Sequence, residues 1–210
     1  MRILIVQCHP SAESFGASLA ETVRKTLADG GHELRVTDLY ACRFDPVMLE
    51  PEWLRYNDAE LNRAPVERHV DDILWAEALV FVYPTWWFGL PAMLKGYLDR
   101  VWVPHVTFEI PTATSPMRPR MQHIGRIGVV TTCGASWLVS KLMGEPGRKT
   151  VLRGIRALCA PQLPGSGDGD EASGPRRSCG DCAHARQTGR RVLRMQPPTG
   201  GDEVKAFALR

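Results

Sequence analysis

The chain has 210 residues, 44% hydrophobic and 23% charged, with a formal net charge of +3. That is the composition of a soluble domain large enough to bury a sizeable core. The small charge and the lack of any basic–aromatic stripe argue against a nucleic-acid partner, and the longest apolar runs, 3–6 and 78–83, are too short to span a membrane. The first residues do not read as a signal peptide. The six cysteines, at 8, 42, 133, 159, 179 and 182, are scattered and read as reduced thiols, so the expected location is cytoplasmic.

In chain order, residues 2–7 form a nearly continuous apolar run, the mark of a strand buried on both faces of a parallel sheet. Phe15, Leu19, Val23 and Leu27 follow at four-residue intervals on one helical face, which Gly30-Gly31 terminates. Residues 33–39 alternate apolar and polar, as a strand nearer the sheet edge does. The stretch 40–64 is irregular and polar. A helix over 66–75 leads into an apolar strand at 78–83, and a helix from Pro91 runs to about Trp102. On it Lys95, Asp99 and Arg100 read as surface charges, and Asp99 stands at the spacing for an ion pair with Lys95. A fourth strand over 124–131 precedes a helical region over 136–158. This alternation predicts an α/β sandwich with a parallel sheet, whose ligand site lies beyond the carboxyl ends of the strands.

Residues 161–210 differ. They hold Leu, Ile, Val and Phe six times in fifty positions, against 44 times in residues 1–160, and 13 of the fifty are Gly or Pro. The reading is a Gly/Pro/Arg-rich appendix to a domain of 1–160: a disordered tail, or the product of a shifted reading frame. Only 192–193 and 204–209 could supply the fifth strand due here. Cys179, Cys182 and His184 lack a second ligand pair at zinc spacing, so no metal is assigned.

Three loops follow strands directly and carry the candidate chemistry. In the first, His9-Pro-Ser-Ala-Glu-Ser14 enters a helix whose first amides are unpaired donors, so the loop suits a phosphate, with His9, Ser11, Ser14 and Ser18 as added donors. The same residues also fit a plain helix cap at Ser14. No dinucleotide or P-loop glycine pattern occurs there. In the second, Pro84-Thr85-Trp86-Trp87-Phe88 puts three aromatics at a strand mouth, where a planar apolar ligand or a protein contact would use them. In the third, Thr131-Thr132-Cys133-Gly134 offers small side chains and hydroxyls, as a ligand wall or as an ordinary turn.

With these motifs the chain resembles the flavodoxin-like NAD(P)H:quinone oxidoreductases, a family that includes modulators of drug activity and ancillary oxidoreductases of potassium efflux systems. The resemblance runs from residue 1 to about 158. It is carried most specifically by PTWWFGLPAMLKGYLDRV, and also by HPSAESFGASL. It implies a three-layer sandwich whose C-terminal strand and helix are atypical or missing here. It implies FAD or FMN as cofactor, NADPH or NADH as co-substrate, and a quinone-like acceptor. His9, Ser14, Phe15 and Ser18 would then lie near the flavin phosphate and ribityl chain. Pro84, Thr85, Trp86, Trp87 and Phe88 would bracket the ring, and Thr131, Thr132 and Gly134 would line its other edge. The resemblance also implies a homodimer. A regulatory subunit of a membrane transporter and a non-catalytic homologue are the alternative functions. Three departures stand out: Gly16 where Asn is common, Cys133 where the first glycine of Thr-Thr-Gly-Gly is usual, and no match for the Tyr and His that assist hydride transfer in the animal enzymes.

Overall fold

A computed structural model describes residues 1–159 and 203–209. Strand β1 (Arg2–Gln7) leads to α1 (Phe15–Asp29), β2 (Glu33–Asp38), α2 (Glu50–Leu54), α3 (Glu67–Trp75), β3 (Ala78–Pro84) and α4 (Ala92–Val101). A short hairpin, β4 (Phe108–Glu109) with β5 (Arg118–Pro119), precedes β6 (Arg126–Cys133), α5 (Trp137–Leu142), α6 (Pro146–Lys149) and β7 (Glu203–Leu209). The main sheet has the order β2-β1-β3-β6-β7. Its first four strands are parallel, and β7 closes it antiparallel to β6.

The α/β sandwich read from the alternation is therefore present, with one amendment. The fifth strand falls on 203–209, which covers 204–209, one of the two stretches the sequence offered, but its antiparallel direction makes the sheet mixed. The reading of 161–210 as disordered or frame-shifted, and the Cys179–Cys182–His184 cluster, otherwise lie outside the described residues.

Alternating side chains of β1 and β3 feed two cores. Leu4, Val6, Leu79, Phe81, Ile127 and Val129 pack with Tyr97 and Val101 of α4 and Val70 and Ile73 of α3. Ile3, Ile5, Ala78 and Val82 pack on the other face against Ala20 of α1. Burial on both faces is why these strands read as continuous apolar runs. Helix α1 ends where expected: Gly31 has φ 74°, the left-handed residue that glycine adopts without a Cβ penalty.

Other boundaries moved. Residues 40–64 contain α2, and β6 begins two residues later than read. The helix expected over 136–158 breaks at Gly144 (φ 80°) and Glu145 (φ 49°), restarts at Pro146, and continues as a π-helical turn over Thr150–Ile155. Arg100 is not a surface charge. It and Glu52 are each 11% exposed and pair at 2.7 Å, fastening α2 to α4. Lys95 and Asp99 do pair on the surface.

Candidate functional site

The carboxyl ends of β1, β3 and β6 lie side by side, so the three loops after them share one edge of the sheet. Direct contacts join them. The His9 and Trp86 rings lie 6.3 Å apart, and the Thr85 amide donates to the Thr132 carbonyl at 2.7 Å.

In the first loop Ser14 is the N-cap of α1. Its hydroxyl accepts from the Ala17 amide (3.1 Å) and donates to the Ser11 carbonyl (2.8 Å), so its proton is committed within the loop. Ser18, exposed, turns its hydroxyl back toward the Ser14 carbonyl. The amides of Phe15 and Gly16, at the first two positions of the helix, meet no acceptor among the described residues, as expected of a helix start. His9 Nδ1 lies 3.0 Å from both the Ser11 amide and the Ser11 carbonyl, so the ring is held in the loop by its Nδ1 edge. Gly16 makes room for that ring, since a Cβ there would stand 3.3 Å from His9 Cδ2. The two open amides are thus an acceptor-seeking pair at the positive end of the α1 dipole, with His9 beside them. Ser14 holds the loop in shape, and Phe15 is half-buried beside it.

The second loop is a tight turn. The Gly89 amide donates to the Trp86 carbonyl at 3.0 Å, and the two residues between, Trp87 and Phe88, have φ of 52° and 63°. Left-handed backbone costs a residue with a Cβ roughly 1–2 kcal/mol. Two bulky aromatics here therefore mark a conformation imposed by its surroundings, the kind of strain that gathers at functional sites. Pro84 is buried beneath the turn, Trp87 is 94% exposed and Phe88 is half-buried.

The third loop starts with Thr131, buried, whose hydroxyl lies 2.8 Å from that of Thr85. Thr132 is half-buried and Gly134 exposed. Cys133 is buried, with its Sγ 3.6 Å from the Ser140 hydroxyl of α5. Ser136 caps α5 through the Val139 amide.

Between the second and third loops lies an open hollow. Thr85, Phe88, Thr131 and Cys133 form one side, Tyr83 is part of its wall, and Ser140, Glu145 and Arg148 form the other. A shallower hollow on the α1 side of the sheet runs from His9 and Gly16 to Pro84 and Thr132. The structure thus gathers His9, Thr85, Phe88, Thr131, Thr132 and Pro84 around two adjoining hollows. Trp86 and Trp87 stand at the rim, and Ser14, Phe15, Ser18 and Gly134 lie on the adjoining loops rather than in the walls.

Sequence reasoning missed Tyr83, Ser140, Glu145 and Arg148. Gly144 followed by Pro146 was the available signal for the last two, because a glycine and then a first-turn proline restart a helix at that spot. Burial pushes the Tyr83 hydroxyl far above the ordinary tyrosine range, with Arg148 pulling slightly the other way. Burial also raises the Cys8 thiol, beneath His9, to about 12, so it stays protonated and inert.

A sheet whose first four strands run parallel, with a capped helix start and an aromatic turn at its carboxyl edge, defines a flavodoxin-type α/β protein. Comparison with known proteins agrees: the chain belongs to the family described as having the flavodoxin-like fold, whose model matches residues 1–159. An uncharacterized NAD(P)H oxidoreductase of Haemophilus influenzae is 38% identical over 102 residues, 48% of this chain and 50% of that protein. Among solved structures, Smu.1420 of Streptococcus mutans superposes with a TM-score of 0.67 at 32% identity, covering 76% of this chain and 82% of that one. The NAD(P)H:quinone oxidoreductase of Methanothermobacter marburgensis gives 0.64 at 28% identity, covering 76% and 81%. The chain spans about half the length of the curated relatives it matches.

Proposed function

We propose that this chain is a flavin-dependent oxidoreductase that takes a hydride from NADPH or NADH and passes it to a quinone or similar acceptor. The observation that carries the reading is the meeting, at one sheet edge, of the open Phe15 and Gly16 amides with a strained aromatic turn. The first suits a phosphate and the second a planar ring, and FMN or FAD contains both. The names of the Haemophilus and Methanothermobacter proteins support the same reading.

The residues present fit such a group. The Phe15 and Gly16 amides, with His9 beside them, would hold the phosphate, because backbone donors and a helix dipole favour an anion there. Pro84, Thr85, Trp86, Trp87 and Phe88 would lie along the ring, with Thr131, Thr132 and Gly134 at its far edge. Bound flavin supplies the reversible hydride chemistry. The aromatic turn would exclude water from the reacting face and present a flat apolar surface on which nicotinamide and quinone could stack in turn. The Thr85 and Thr131 hydroxyls, 2.8 Å apart, would orient polar atoms of the ring edge. Cys133 does not close the site, because its side chain turns toward Ser140 and takes part in the wall.

Two further elements belong to this reading. Val47, Leu49, Trp53 and Leu54, and on α5 and just after it Leu138, Leu142 and Met143, are exposed apolar side chains, which supports a homodimer. The described cysteines Cys8, Cys42, Cys133 and Cys159 are free thiols, which suits the cytoplasm. No helix among the described residues is long and apolar enough to cross a membrane.

The test is an anaerobic titration. Purified protein is reconstituted with FMN or FAD, NADPH or NADH is added, and the visible flavin absorbance is followed. Bleaching that a quinone reverses is the expected result. Bound flavin that neither nicotinamide reduces would refute the enzyme reading and leave the regulatory subunit.

A further inference from the structure

Tyr83 is the next-to-last residue of β3 and belongs to the core on the α3–α4 side of the sheet. It is 3% exposed, and its hydroxyl is buried without a hydrogen-bond partner. A buried, unpaired hydroxyl leaves its lost hydration uncompensated, and phenylalanine would fill the same space without that penalty. Asn62, His69, Tyr97 and Trp102 also bury polar atoms that lack partners, but none of them lines either hollow. Tyr83 is part of the wall of the hollow between Thr85, Thr131 and Phe88. Burial keeps its proton in place, with Arg148 close enough to act on it electrostatically. A phenol in this state donates a hydrogen bond.

We propose that the Tyr83 hydroxyl is a ligand-facing donor. It binds an acceptor atom, a ring nitrogen or a carbonyl oxygen, of the planar heterocycle seated between the aromatic turn and Thr131, and is a positioning residue for that ring. The proposal rests on the flavin reading above. It adds a polar contact at the floor of the hollow to the apolar ones along its rim. It also accounts for a tyrosine at a strand position where its neighbours Val82 and Phe81 are purely apolar.

The experiment compares the full chain with Tyr83→Phe and with Tyr97→Phe, which removes a buried unpartnered hydroxyl away from the hollow. Three quantities are read: the thermal midpoint without flavin, the Kd for FMN and for FAD, and the midpoint potential of the bound flavin. Tyr83→Phe should leave the flavin-free midpoint unchanged or raise it, because the unpaired hydroxyl is gone. It should weaken flavin binding about tenfold, the loss of one hydrogen bond, and lower the potential, since a donor to the ring favours its electron-rich form. Tyr97→Phe should change neither Kd nor potential. A lowered thermal midpoint with unchanged Kd and potential in Tyr83→Phe would make the hydroxyl structural and overturn the assignment. Wild-type protein that binds neither FMN nor FAD would overturn the flavin reading itself, and the Tyr83 assignment with it. Equal binding by wild type and Tyr83→Phe would overturn only the latter.

Discussion

The position of the aromatic turn depends on a residue sixty positions away, and substituting Gly147 exposes that dependence. Gly147 is buried at the start of α6, where a Cβ would stand 2.9 Å from the Gly89 carbonyl carbon, 3.0 Å from the Leu90 nitrogen and 3.2 Å from the Gly89 oxygen. Comfortable carbon contacts lie at about 3.5–4.0 Å, so Gly147→Ala requires the turn or the helix to retreat by roughly 0.5–0.8 Å. The atoms in the way are backbone, so no rotamer change relieves the clash. Overpacking costs about 1–3 kcal/mol, and the better helix propensity of alanine returns up to about 1 kcal/mol, so the net loss should be near 1 kcal/mol. The functional loss should be larger, because a displacement approaching 1 Å at a reacting site costs on the order of 100-fold. Urea unfolding and flavin-dependent NAD(P)H oxidation measure the two separately. Gly154→Ala is the control, since nothing lies within 4 Å of its added methyl group. Gly96→Ala is the contrast: its Cβ would fall 2.2 Å from the Pro46 oxygen, and it should cost about 3 kcal/mol or more in stability. Wild-type turnover in a destabilised Gly147→Ala protein would refute the link between α6 and the turn.

Three further outcomes follow from the same structure. Removing one partner of the half-buried Arg100–Glu52 pair, as in Glu52→Ala, strands the other charge and should lower stability by about 2–4 kcal/mol in urea titration; an effect below 0.5 kcal/mol would make the pair an ordinary surface contact. His69 packs edge-on against Phe44 and Tyr97, and burial lowers its pKa from 6.5, with Asp72 opposing and Arg68 and Arg100 adding to the shift. Its neutral form is the one the fold favours, so this contribution is complete above pH 6.5 and disappears as the pH falls through the lowered value. His69→Phe should flatten the drop in thermal midpoint between pH 7 and pH 5, and an unchanged slope would rule His69 out as its source. Trp87→Asn should raise stability by about 0.5–1 kcal/mol, because asparagine tolerates the left-handed region, while weakening flavin binding; a clear loss of stability would mean that the exposed indole is packed after all.

The amino-acid pattern carried the inner frame of this fold well. Strands β1 and β3 were legible because burial on both faces leaves an apolar run with nothing polar in it. Helix α1 was legible because Ser14 and Gly30-Gly31 bracket a clean four-residue period. The hairpin of β4 and β5 was not, since two-residue strands are too short to show a period. Helix α2 was hidden for a different reason. It presents no buried residue and is held by the Glu52–Arg100 pair, a long-range contact that leaves no local trace. The antiparallel direction of β7 is equally invisible in a seven-residue segment, because direction is set by the connection and not by the strand.

The candidate site divides along the same line. Its anion-seeking half is local: His9, Ser11, Ser14 and the first amides of α1 lie within nine residues and shape one another through hydrogen bonds that the sequence foreshadows. Its ring-shaped half is assembled at a distance. Trp87 and Phe88 announce a site by their composition, yet the end of their turn, at Gly89 and Leu90, lies against the distant Gly147. What walls the hollow is Ser140, Glu145 and Arg148, carried on a helical region that a periodicity argument reads as one continuous rod. The break at Gly144 and Glu145 turns that rod and brings Arg148 to the wall that Cys133 and Ser140 share. Cys133, a departure from the family's glycine that looks obstructive along the chain, is accommodated by its local contact with Ser140. The same break places Arg148 beside Tyr83. Lengthening the 143–146 turn by one residue should therefore degrade ring binding while leaving phosphate binding at the α1 start intact. Comparing the affinities for free riboflavin and for FMN measures this directly. An equal loss for both, relative to the unaltered chain, is the pattern expected, because the defect lies in the ring half alone, whereas a loss confined to FMN would place the phosphate under the control of the distant wall and contradict the division.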